Sequence, residues 1–165
     1  MSIPPLSPEP YTEVTSESLE AELLVVIRHE GVTVADLRNI FDSSFNALGR
    51  SMSAGQFIAV GPAYAVYYGD PTGVFDVEVG FPAMGAPTSV IESPAGRIHA
   101  SALPAGPAMI LSHTGSYETM SDSWQKVTSG ATGELRDIWI EAYVSDPRTV
   151  ATTNMRTDLI LPVKP

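Results

Sequence analysis

One series of signals runs twice along this chain. "RHEG" at Arg28 is matched by "SHTG" at Ser112, "YGDP" at Tyr68 by "VSDP" at Val144, and "GFP" at Gly80 by "ILP" at Ile160. The offsets are 84, 76 and 80 residues, in constant order. Ordered landmarks with small length changes predict duplication of one unit. Two copies sharing a core face each other about an approximate twofold axis, and that restricts the fold more than any single element does.

Each copy reads as strand, helix, strand, strand. In the first, "ELLVVIRHEG" is an aliphatic strand stopped by Gly31. Val34, Leu37, Ile40, Phe41, Phe45 and Leu48 then recur at helical spacing. Thr33 and Asp36 suit a capping box, and Gly49 suits the C-terminal stop. "AYAVYYGDP" follows as strand and turn, and "VFDVEVGFP" alternates with period two. In the second copy, "GRIHASALPAGPAMILSHTG" reads as two strands joined at Pro104-Ala105-Gly106. Tyr117, Met120, Trp124 and Val127 share a helical face, with Gly130 past the end. "WIEAYVSDP" and "MRTDLILPV" complete it. The expected fold class is α+β: a pseudo-twofold duplication of a strand–helix–strand–strand unit, with antiparallel sheets and a shared central cleft. Residues 1–10 form a flexible Pro-rich arm and 11–165 a single domain, with repeats at about 11–84 and 96–163 joined through "GAPTSVIESPA".

Composition excludes several function classes. Net charge is −10 and the nine basic residues are scattered, which opposes binding to nucleic acid or anionic lipid. There is no cysteine, so disulfides, thiolate metal sites and a cysteine nucleophile are excluded. No signal peptide or long apolar run is present, so a cytoplasmic location is the default expectation. Neither "GRSMSAG" nor "GATG" follows a strand and opens a helix as a dinucleotide loop does. A Ser–His–Asp set could be drawn from Ser112, Ser116, Ser121, His113 and Asp122 or Asp146. No G-x-S-x-G elbow accompanies it, and it is rejected.

The residue that raises the functional question is Glu141, a carboxylate inside an apolar strand. The first copy has Ala65 at that position. Side chains two apart on a strand share a face, so Trp139, Glu141 and Tyr143 project together, opposite Ala63, Ala65 and Tyr67. One wall is aromatic and acidic and the other small, which leaves room for a cavity. Burying a lone carboxylate is costly unless it is partnered. Two readings stand on the residues alone: a cleft carboxylate among rings, or a strand-surface Glu paired with Arg156 or Arg97.

The duplicated unit, "HTGSYETM" and "IEAYVSDP…MRTDLILPV" resemble the GyrI-like small-molecule-binding family, whose domain also serves as the effector-binding part of AraC-type and MerR-type multidrug regulators. The architecture is shared by the haem-binding SOUL proteins. The resemblance covers about Tyr11 to Val163. It implies a cleft between two modules for an amphipathic, cationic or aromatic compound, with the family's acidic strand residue at Glu141. Some members are hydrolases of cyclopropane-containing toxins, so an alternative is a hydrolase using Glu141 with Tyr143 as its catalytic groups. A gyrase-inhibitor-like module with a protein partner is a third reading. Ser116 replaces the family's usual Pro, and "TSGATGELRD" fits its helix end poorly. The short N-terminal arm cannot form a helix-turn-helix, so a stand-alone binder without its own DNA-binding domain is expected.

The expected ligand-binding residues are Glu141, Tyr143, Trp139, Tyr67, Tyr117 at its helix start, Phe57 at the rim and Ala65. Tyr64 and Tyr68 have opposite parity and belong to the other face, and Trp124 is assigned to the core. His29 and His113, just before the helices, are expected to make structural hydrogen bonds. His99 stands alone in a strand. No metal and no cofactor, haem included, is expected.

Overall fold

The computed structural model describes residues 7–145 and 149–165, so the expected turn at Asp146-Pro147 and the first part of the arm lie outside the described residues. The fold is α+β: one eight-stranded antiparallel sheet and two helices. The strands are β1 (Thr15–Leu19), β2 (Glu22–Val32), β3 (Ala63–Tyr68), β4 (Phe75–Pro82), β5 (Ile98–Leu103), β6 (Gly106–Thr114), β7 (Ile138–Tyr143) and β8 (Arg156–Pro162). The helices are α1 (Leu37–Ser53) and α2 (Met120–Gly130).

The strand order is β1-β6-β8-β7-β3-β4-β2-β5, which puts β3 and β7 side by side at the centre. β5 and β6 are consecutive but do not pair with each other. β5 closes the edge of β2, and β1 closes the edge of β6. β1 is not expected from the sequence, because "TSESL" carries little apolar signal.

Parity sorts the core. Val25 and Ile27 pack under α1, with Leu48 and Phe57. Leu24 and Val26 point the other way and join Tyr64, Val66, Ile110, Ile140 and Ile160 on the face that carries no helix. That face is buried because the sheet curls on itself, with edge residues Leu19 and Leu103 in the same cluster. Close approach of strands is visible at Gly80, where a Cβ would collide with the Val25 carbonyl of the neighbouring strand.

Helix α1 starts as expected: the Asp36 carboxylate accepts from the Thr33 backbone N–H at 2.9 Å. It does not stop at Gly49. It continues to Ser53, and Gly55 makes the left-handed stop at φ 76, its N–H donating to the Met52 carbonyl. Glycine inside a helix is unfavourable but tolerated, and a stop needs the left-handed conformation that only Gly55 adopts here. Before α2, Ser116 caps the short 3-10 turn Tyr117–Thr119, its hydroxyl accepting from the Glu118 N–H at 3.2 Å.

The described part of the N-terminal arm is tied down. Arg156 donates to the carbonyls of Ser7 (3.0 Å) and Pro8 (3.2 Å), and the Tyr11 N–H donates to Ser112 Oγ at 2.8 Å. Arg156 also pairs with the fully buried Asp158 at 2.9 Å. The Ser112 hydroxyl donates to Asp158 rather than to a histidine, at 2.7 Å.

Candidate functional site

α1 packs on β4 and β2, and α2 on β6 and β8, so the seam between β3 and β7 runs between the helices. Register places Ala63 beside Tyr143, Ala65 beside Glu141 and Tyr67 beside Trp139. Over this seam lies a cavity of about 1580 Å³. Glu141 lines it while being only 8% exposed.

The carboxylate is fully engaged by neutral donors. The hydroxyls of Tyr143 and Tyr67 donate to Oε1 at 2.6 Å and 2.9 Å, and the Trp124 indole N–H donates to Oε2 at 3.0 Å. Hydrogen bonds of this kind satisfy a buried carboxylate without cancelling its charge. Burial, and then the neighbouring Glu141 charge, hold both phenols well above the usual tyrosine range. Tyr67 and Tyr143 therefore stay protonated donors at ordinary pH. Among the described residues no ion pair reaches Glu141: Arg156 is held by Asp158, and exposed Arg97 faces Glu92.

Rings enclose the carboxylate. Trp124 meets Trp139 edge-on at 5.2 Å, Tyr143 meets Phe41 at 6.1 Å and Tyr117 at 5.9 Å, and Tyr67 meets Phe75 at 5.5 Å. The Trp139 indole N–H is buried without a partner. The charged side chains lining the cavity, among the described residues, are Asp42, Asp70 and Glu141; no Lys, Arg or His joins them.

Glu141, Tyr143, Trp139, Tyr67 and Tyr117 thus gather at one cavity. Phe57 does not. It is buried among Val25, Leu48 and Ile98 under α1, because the chain turns inward after Gly55. Ala65 is fully buried with Ile40 and Val79 instead of lining the space, and Ala63 lines it. Trp124, expected in the core, packs against the core cluster under α2 and also lines the cavity, where its N–H reaches Glu141. A buried indole N–H needs an acceptor, and position 124 shares a helical face with Tyr117, so both signals were available. Tyr64 and Tyr68 lie on the opposite face, where the Tyr68 hydroxyl donates to Glu78 at 3.2 Å.

The strand-end histidines bind helix serines. His113 Nε2 donates to the Ser116 carbonyl at 2.7 Å, so Nδ1 accepts from the Ser123 hydroxyl, also at 2.7 Å. His29 Nε2 meets Ser44 Oγ at 2.8 Å, and burial lowers the His29 pKa. The unfolded state then takes up a proton first as pH falls. The His29 contribution to stability is present above the unfolded value, near 6.5, and is lost as pH drops through the lower folded value. Between pH 7.5 and 5, urea midpoints should fall further for the native chain than for His29→Asn; equal slopes would refute this. Among the described residues no cluster of three or more His, Cys, Asp or Glu could hold a metal, and no helix is long and apolar enough to cross a membrane.

Comparison with known proteins bears on this arrangement. The profile of the GyrI-like small molecule binding domain matches residues 12–164. No curated protein sequence matches the chain. Similar solved structures include the EcmrR C-terminal domain, at 16% identity and TM-score 0.74, covering 92% of this chain and 97% of that one. SAV2435 bound to tetraphenylphosphonium aligns at 11% identity and TM-score 0.66, covering 93% and 94%. A hydrolase from Listeria innocua aligns at 16% identity and TM-score 0.60, covering 95% and 94%. At these identities the likeness is one of fold.

Proposed function

The chain belongs to the GyrI-like small molecule binding domain family, and on that premise we propose that it binds lipophilic cations in the cavity over the β3–β7 seam. We read the sheet order as two modules, β2-α1-β3-β4 and β6-α2-β7-β8, related by duplication, with the ligand between them. Glu141 supplies the charge, Tyr143, Trp139 and Tyr67 the aromatic walls, and Tyr117 the mouth.

The observation that carries the reading is a buried carboxylate bonded, among the described residues, only to neutral donors, beside a large ring-lined space whose other described charged groups are also acids. A cation there gains Coulomb attraction in a low-dielectric setting, and each ring face adds roughly 0.5–2 kcal/mol. An anion would meet repulsion and find no lining cation among the described residues. That SAV2435 holds tetraphenylphosphonium on the same fold supports the ligand class.

Tetraphenylphosphonium at 100 times its Kd should stabilise the folded chain by about 2.7 kcal/mol. For a domain of this size that raises Tm by roughly 5–10 °C. Neutral triphenylphosphine oxide should do much less. Equal shifts with both compounds, or none with either, would remove the charge-based reading. The hydrolase alternative draws on the 2.6 Å Tyr143–Glu141 contact, a short path for a proton. Its readout is consumption of a cyclopropane electrophile that stops in Glu141→Gln.

A further inference from the structure

Helix α1 carries two apolar lanes. Ile40, Ala47 and Leu48 face the core, with Ser44 and Ser51 buried beside them. Leu37, Phe41, Phe45, Gly49 and Met52, spaced by four, four, four and three, line the cavity and are each only half-buried. The lane begins at the carboxylate: the Phe41 ring touches Tyr143, whose hydroxyl is on Glu141. It then leads away from it. Phe45 meets Phe81 edge-on at 5.8 Å, and Pro62, Ala63, Gly49 and Met52 complete the far part of the cavity. From Phe41 to Met52 the helix advances about 16 Å. The corresponding wall on α2 beyond Trp124 is polar, carrying Gln125 and Thr128.

Gly49 has no structural reason to be glycine. It sits inside the helix, its φ is not in the left-handed region, and no atom lies within 4 Å of where a Cβ would stand. Glycine is the poorest helix former after proline, so the position gives up helix stability without a packing constraint in return. What its missing side chain leaves is open space where the apolar lane borders a second hollow lined by Asn46, Arg50 and Ser53.

We propose that the preferred ligand of this cavity is a single-tailed cationic amphiphile, its head at Glu141 and its alkyl tail along the lane from Phe41 to Met52, and that Gly49 sets the tail length accepted. This rests on the cation-binding reading above and adds a shape to it. The head gains from charge and rings, and the tail from apolar burial, with affinity rising by up to about fourfold for each methylene that enters the lane.

The test is a series of alkyltrimethylammonium salts from hexyl to hexadecyl, titrated below their micellar concentrations and compared with tetraphenylphosphonium. Affinity should climb through at least the dodecyl compound. Gly49→Leu should weaken dodecyl binding tenfold or more and change hexyl binding less than twofold, with no loss of Tm in the free protein. Gly49→Ala should fall between. A plateau at hexyl overturns the proposal, as does a Gly49→Leu effect that is absent or equal for short and long tails. If short and bulky cations still bind in a Glu141-dependent way under that plateau, only the tail assignment falls. If no cation of either shape binds, the cavity reading falls with it.

Discussion

Glu141→Gln should weaken tetraphenylphosphonium binding by about 10–100-fold, as expected for loss of a charged partner worth roughly 1.5–3 kcal/mol. The substitution keeps size and planarity. Its amide oxygen can still accept from Tyr67 and Tyr143, which in the native chain donate to one carboxylate oxygen. The amide NH2, however, would face the Trp124 N–H, donor against donor, where Oε2 now accepts. A Tm drop of a few degrees should therefore accompany the affinity loss. Isothermal titration with the cation and with triphenylphosphine oxide separates the two effects: reorganisation of the pocket weakens both ligands, loss of charge weakens only the first. Unchanged cation affinity would show that the carboxylate is structural.

The largest stability effect is expected at a charged pair that does not line the cavity. Arg156→Met leaves Asp158, fully buried, without its cation and releases the carbonyls of Ser7 and Pro8. Breaking a buried pair by removing one partner costs about 3–5 kcal/mol, which at this chain length lowers Tm by roughly 10 °C. Removing both charges, Arg156→Met with Asp158→Leu, should recover much of the loss, because no uncompensated charge is left. A single variant as stable as the native chain would mean that the Arg156–Asp158 bridge and the arm contribute nothing.

Glu141 marks the candidate site in the sequence, because a carboxylate in the middle of "WIEAYV" is too costly to bury without partners. Period-two parity then supplied Trp139, Tyr143 and Tyr67. Both helices and seven of the eight strands follow from spacing and stop signals. What was not legible depends on contacts distant in sequence. Trp124 looked like core because helical spacing shows only which face it is on, not that a carboxylate waits across it. Phe57 looked like rim because nothing local says that the chain dives under α1 after Gly55. Ala65 and Ala63 alternate on one strand face, and only the packing of Ile40 against Ala65 decides that the other one borders the cavity. Gly49 matched a stop signal that Gly55 fulfils. The β1 strand carries too few apolar residues to announce itself and is recruited by the exposed edge of β6.

The placement of β8 has a consequence for how this chain can be made. It pairs with β6 on one side and β7 on the other, so the residues 156–162 form an inner plank of the sheet rather than its border. Until a ribosome has released that stretch, β6 and β7 have no common neighbour, Glu141 has no finished floor beneath it, and aliphatic surface stays wet. Nascent chains should consequently stay open and lean on chaperones until residues 156–162 have left the ribosome.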